Sequence, residues 1–308
     1  MSDEQTVQLD VVRETMLRQA AELFERGHFS GMAERYVSYH AGSGWRFAEM
    51  TRLHYQLFGN KGDGPLDDTA AAVEWIALCA DLLDDRQDHD REAAPWSIDP
   101  ADEVLLFEHA VLLMALATLQ RVIPQAYALI SRLLTQALAG QYADHENVWT
   151  TEDTYMRQIL LKSGSLTALA CVSGLAAAGQ AVFTEHPAFY MSAIGVYAQL
   201  RNDLRDVATL AGKSDILSRK KTPATMYLIE HPDKEGKRLA GYFAGKLTLD
   251  EMLEQHDELA AWVRERSGVT MYMRALGAVW RQRAAQDIDR IRQINDDDKR
   301  QLMLLFKV

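Results

Sequence analysis

Cysteine is nearly absent. The 308 residues include two, Cys79 and Cys171, which stand in no CxxC or Cys/His spacing. A disulfide framework and a thiolate metal site are therefore excluded, and both thiols are expected to be reduced core residues of a cytoplasmic protein. Basic charge is also in deficit: 33 Lys and Arg stand against 44 Asp and Glu, a net charge of −11. That balance argues against a nucleic-acid partner, because phosphate contacts need clustered cations. The opening stretch MSDEQTVQLDVV has no basic region followed by an apolar segment, so no signal peptide is expected, and no integral membrane segment is expected elsewhere. Sustained strand alternation between turn signals is lacking too.

What is present is helical spacing of apolar residues, in a chain whose 48% hydrophobic content suffices for a core. Glycine and proline marks divide it into helices expected at about 6–26, 30–40, 46–58, 68–90, 101–120, 124–138, 151–178, 188–210, 223–229, 249–264, 268–286 and 288–305. There is no biased linker and no repeat, so residues 1–308 are read as a single all-α domain, a large helical bundle. The runs LLFEHAVLLMALATL, LTALACVSGLAAAG and AFYMSAIGVYAQL are apolar enough to be buried on most sides. In the tail, NDDDK reads as a solvated helix start and QLMLLF as a packing or dimer-contact face.

Two stretches carry chemistry. In EWIALCADLLDDRQDHD, Asp81, Asp84, Asp85 and Asp88 stand at i, i+3, i+4 and i+7, one stripe of a helix. Like charges so placed repel by about 0.2–0.5 kcal/mol per pair, so the stripe calls for a cation. In GVYAQLRNDLRDVATL, Gln199, Asn202, Asp203 and Asp206 repeat the spacing. A single acidic run is usually a solvated face, but here two apolar helices end in the same arrangement. If the two face each other, hard oxygen donors line both walls, which suits Mg²⁺ bridging carboxylates to substrate phosphates. An EF-hand is excluded, since the first run lacks the loop glycine and final glutamate, and GNKGDGP lacks the GxxxxGK[ST] spacing and reads as a plain turn.

These residues resemble the polyprenyl (isoprenyl) diphosphate synthases, class I trans-prenyltransferases, with DDRQD as the first aspartate-rich motif and QLRNDLRD as the second. KSGS after Tyr155 is similar to the family's lysine and hydroxyl pair, and GKSDILSRKKTP to its downstream lysine segment. The resemblance implies an all-α bundle around a deep central cavity and Mg²⁺ held by Asp84, Asp88, Asn202 and Asp206, with Asp85 and Asp203 supporting. It implies an allylic prenyl diphosphate gripped by Lys162, Ser163, Lys213 and Lys220, with Gln199 in the ligand network, and commonly a homodimer. Trp75, Phe107 and Tyr197 are candidate cavity-lining residues or simple core, and the small Cys79 and Ala80 before the first motif imply room for a long prenyl chain.

Departures from the family pattern cluster on one half of the site. Where a glycine, lysine and arginine motif for isopentenyl diphosphate is expected, GSGWRF keeps Arg46 and puts Trp45 in the lysine place. The arginine pair after the first motif is reduced to Arg91, and the usual histidine on the first-motif helix is Ala77. This loss is similar to the ComQ branch of the family, whose acceptor is a tryptophan of a small signal-precursor peptide. An indole carries no diphosphate, so a clamp for one has no job. The alternatives are an ordinary short-chain prenyl diphosphate synthase and a non-catalytic regulatory subunit of one.

Overall fold

The computed structural model describes residues 3–24, 27–42, 44, 46–59, 65–88, 94–147, 151–180, 188–210, 214–254 and 256–306; of residues 3–10 and Asp88, only the backbone is described. Among the described residues the chain forms α-helices and no strand. The first half comprises α1 (Asp3–Leu23), α2 (His28–Ala41), α3 (Arg46–Phe58), α4 (Leu66–Asp88), α5 (Ala101–Val122) and α6 (Tyr127–Glu146). Next come α7 (Glu152–Ile159), a π-helical turn (Leu160–Gly164) that continues directly into α8 (Ser165–Ala177), and α9 (Phe189–Val207). The remainder comprises α10 (Pro223–Ile229), α11 (Lys234–Phe243), α12 (Leu249–Leu253), α13 (His256–Ala261), α14 (Val269–Asp289) and α15 (Asp296–Leu304).

The apolar runs form the centre. Every residue of α4 from Thr69 to Cys79 is buried, as is α8 from Thr167 to Ala177. Small side chains make this possible, since helices crowded on every side need close approach. Gly174 is the tightest such contact, where a Cβ would lie 2.1 Å from the Thr51 carbonyl oxygen of α3. The stretch Glu152–Ala177 is long and apolar enough to cross a membrane, which the expectation of no spanning segment overlooked, but most of it is buried inside the protein as a core helix.

Two apolar clusters divide the bundle. One gathers α1 to α6, α8, the start of α9, the end of α14 and α15; the other gathers α7, the end of α9, α10 to α13 and the start of α14. The ends of α4 and α6, the π turn and the second half of α9 meet along the seam between them.

Several boundaries differ from expectation. Helix α6 runs through Gly140 to Glu146 instead of stopping at 138. Helix α11 was not expected, because Gly236 and Gly241 lower its propensity; Gly236 is needed where a Cβ would meet the His231 carbonyl oxygen at 2.3 Å. The expected 249–264 helix is divided into α12, α13 and a π turn (Trp262–Arg266), and the C-terminal one is replaced by α15 alone. Asn295 caps α15 by accepting from the Asp297 and Asp298 N–H groups, as a solvated start at NDDDK implied.

Candidate active site

The acid stripe of α4 does not face a single void. Each of its three described carboxylates has its own protein partner. Asp84 Oδ1 accepts from Lys162 Nζ at 2.8 Å and from Gln141 Nε2 at 2.9 Å. Asp85, 6% exposed, turns into the core and accepts from Trp96 Nε1 at 3.1 Å. Asp81 Oδ2 lies 3.3 Å from His40 Nδ1. The cation that the stripe called for is thus supplied in part by Lys162 and His40, which relieve the repulsion before any metal is considered. Burial alone would raise the Asp84 carboxyl, but the Lys162 ammonium, helped by Gln141 and Lys220, holds it well below the usual carboxylate range.

Lys162 sits on the π turn and also donates to Asp144 Oδ2 of α6 at 2.6 Å. Burial opposes its charge, but Asp144 and Asp84 outweigh that and raise its pKa. Lys220 Nζ reaches the same Asp144 oxygen at 3.1 Å, and Gln158 Nε2 donates to the other at 2.9 Å. Asp144 is therefore the common anchor of two lysines expected to grip the diphosphate.

The next residue of the π turn reaches the opposite way. Ser163 Oγ donates to Gln199 Oε1 at 3.1 Å, and Gln199 Nε2 donates to Asp203 Oδ1 at 2.9 Å. Tyr155 Oη donates to Asp203 Oδ2 at 2.6 Å. Burial pushes the Asp203 carboxyl up to about 6, against the hydrogen bonds of Tyr155 and Gln199. Two networks, one to α4 and α6 and one to α9, are thus joined at consecutive residues.

Two glycines let this happen. A Cβ at Gly140 of α6 would lie 2.3 Å from the Lys162 nitrogen, and one at Gly195 of α9 would lie 2.2 Å from the Ser163 carbonyl oxygen. Both helices press directly on the backbone of the π turn and set the directions of its side chains.

The structure brings together Asp84, Lys162, Lys220, Ser163, Gln199 and Asp203. Asp206 stands on the same face of α9, buried, with Arg205 Nε donating to its Oδ1 at 3.0 Å, and Asn202, one turn earlier, is half-buried. Asp88 closes α4, described in its backbone only; Lys213, Trp45 and Arg91 lie outside the described residues. Arg46 is exposed at the start of α3. Trp75 and Phe107 are fully buried, packed on each other at 6.3 Å, and belong to the core. Tyr197 packs on Phe306 near the chain's end at 5.8 Å.

Sequence reasoning missed Asp144, Gln141 and Gln158. Gln141 and Asp144 are polar residues one turn apart at the end of an apolar helix, the same signature as the two acidic runs. Treating Gly140 and Gln141 as a helix break hid it.

Among the described residues, no three His, Cys, Asp or Glu side chains converge as a ready-made metal cage. Magnesium needs none, because it commonly takes one or two carboxylates and completes its shell with water and substrate phosphate. The oxygen-only donors Asp84, Asn202 and Asp206, flanked by two lysines for phosphate, fit that requirement.

An all-α bundle with acid-bearing helix ends and lysines along one seam defines a protein of the isoprenoid synthase fold. A geranylgeranyl pyrophosphate synthase structure superposes with a TM-score of 0.77 at 21% identity, over 97% of this chain and 98% of that one. The enzyme of that name from Corynebacterium glutamicum, complexed with isoprenyl diphosphate and magnesium, superposes at 0.72 and 17% identity, over 98% and 96%. The polyprenyl synthetase family profile matches residues 47–258. The tryptophan prenyltransferase ComQ of Bacillus subtilis (strain 168) is 30% identical over 263 residues, 83% of this chain and 85% of that protein. This chain belongs to the polyprenyl synthetase family and is a prenyltransferase.

Proposed function

We propose that this protein ionises an allylic prenyl diphosphate with Mg²⁺ and transfers the prenyl group to a tryptophan side chain of a small precursor peptide, for quorum sensing. The observation that carries this choice is the 30% identity to ComQ over most of both chains. The thin cationic equipment of the acceptor half supports it: Arg46 is exposed and Ala77 replaces the family's histidine. Asp84, Asp88, Asn202 and Asp206 would hold the metal. Magnesium, when bound, neutralises charge developing on the leaving diphosphate. Lys162, Lys213 and Lys220 share that charge, Asp144 holding two of them in place. Ser163 and Gln199 fix the wall of α9, with Asp203 beneath them and Asp85 bracing α4.

Helix α5 exposes Leu105, Leu106 and Leu113, an apolar set that supports a homodimer. Two buried, unpaired cysteines support a cytoplasmic location. A second reading, condensation with isopentenyl diphosphate, is favoured by the likeness to geranylgeranyl pyrophosphate synthases. Purified protein with Mg²⁺, farnesyl or geranyl diphosphate and either isopentenyl diphosphate or a tryptophan-bearing peptide separates the two. Mass spectrometry is expected to find the prenyl group on the peptide; longer prenyl diphosphates instead would establish the second reading.

A further inference from the structure

Asp81 of the α4 stripe is held apart from the lysine network. Asp81 stands one turn before Asp84 and one turn after Ala77, and its partner comes from α2. His40 is buried in the last turn of that helix, 6% exposed, with both ring nitrogens engaged. Nε2 lies 2.7 Å from Glu74 Oε1, and Nδ1 lies 3.3 Å from Asp81 Oδ2. The Glu74 side chain is 1% exposed, and its Oε2 accepts the Ala48 N–H at 2.6 Å. This relay starts in the first turn of α3, beside Arg46, and surfaces at the Asp81 side chain, 42% exposed.

The charges of this wall count against an anionic acceptor. Burial would lower the His40 pKa, but the hydrogen bonds that the ring donates to Asp81 and Glu74 raise it to about 9, so the ring is a cation already enclosed by two carboxylates. Glu49, in the first turn of α3, adds a carboxyl that burial and the Glu74 charge push upward against Arg46. Glu49, Glu74 and Asp81 thus face Arg46 and His40, and His40 has no nitrogen left for a diphosphate. The one group that the relay presents outward is a carboxylate oxygen, a hydrogen-bond acceptor in fixed orientation.

We propose that Asp81 is the specificity-determining residue of the acceptor half, accepting a hydrogen bond from a neutral N–H donor such as an indole and repelling a second diphosphate. His40 and Glu74 are positioning residues that hold the carboxylate in place. The inference rests on the peptide-acceptor reading and deepens it. A hydrogen bond to a charged group contributes about 1.5–3 kcal/mol, which corresponds to about 10- to 150-fold in binding. Selection also gains from the repulsion of the wrong acceptor.

The test uses the full-length protein with Mg²⁺, an allylic prenyl diphosphate and two peptides, one with tryptophan and one with 1-methyltryptophan, which lacks the indole N–H. The unmodified protein is expected to show a KM at least tenfold lower for the tryptophan peptide, with kcat differing less than threefold. In Asp81→Leu that preference disappears, and in Asp81→Glu it returns in part. If Asp81→Leu fails to fold, Asp81→Asn is read in the same way, with the preference falling at least threefold. Discrimination between the peptides that persists undiminished in the Asp81 variants overturns the inference and leaves the peptide reading standing. Prenyl transfer to isopentenyl diphosphate and to neither peptide overturns both.

Discussion

Lys162 Nζ stands 2.8 Å from Asp84 Oδ1 and 2.6 Å from Asp144 Oδ2, so a single ammonium group ties α4 to α6 across the seam of the bundle. Three partly buried charges depend on one another, and none is well placed alone. Lys162→Met is expected to lower stability by about 3 kcal/mol, as removal of one member of a buried pair does, and prenyl transfer by about 10²-fold. Combined with Asp144→Asn, the loss of stability should fall short of additivity by about 0.5–3 kcal/mol. Urea unfolding of the four proteins measures this; strict additivity would show that the two residues act separately.

Neighbouring aspartates of the first motif are expected to behave differently. Asp84→Asn should reduce prenyl transfer by about 10²-fold, since it removes the charge facing Lys162. Asp85→Asn keeps an oxygen for Trp96 Nε1 and should retain activity within about tenfold. Trp96→Phe instead removes a donor from a buried carboxylate, at a cost of about 1–3 kcal/mol. Equal activity losses in the two Asn variants would refute the separation of roles drawn from Asp85 facing the core.

Gly195→Ala places a methyl group 2.2 Å from the Ser163 carbonyl oxygen, and neither backbone can yield without moving the π turn. The expected cost is about 1–3 kcal/mol, with a loss of prenyl transfer of more than about tenfold from displaced Lys162 and Ser163. Gly31→Ala, in α2, meets only the tip of Arg35 at 3.6 Å and should be neutral or more stable by up to about 1 kcal/mol. Thermal denaturation alongside turnover checks both.

The His40 relay predicts a pH dependence. Its folded pKa of about 9 lies above the ordinary 6.5, so its stabilisation is complete below about pH 6.5 and is lost as pH rises through about 9. The difference corresponds to about 3 kcal/mol. Urea midpoints of the unmodified protein should fall over that window more steeply than those of His40→Gln. Parallel curves would sink the claim.

Much of this site could be read from the sequence, and the reason differs from residue to residue. Asp84, Lys162, Ser163, Gln199, Asp203 and Lys220 carry regular spacings or ordered family motifs, and they gather along one seam. What spacing could not reveal was direction. Asp84 and Asp85 are adjacent, yet about 100° of helical rotation separates their side chains, which sends one to Lys162 and the other to Trp96. Asp144 escaped because a glycine beside it looked like punctuation, when in fact that glycine is a contact surface. The histidine at position 40 belongs to no motif at all, and only its two carboxylate partners, 34 and 41 positions along the chain, give it meaning.

The π turn at Leu160–Gly164 carries a consequence for how this chain can vary in length. A π turn holds one residue more than the α-helical turn it replaces, and that surplus lets consecutive side chains serve opposite walls. Deleting one of its five residues would restore a plain α-helical turn that leaves α8 in register but removes the surplus by which Lys162 and Ser163 reach opposite walls. Homologous chains that use both walls should therefore keep a fixed residue count from the tyrosine at 155 to the end of α8 at 177, with length differences falling in surface loops such as the α8–α9 connection.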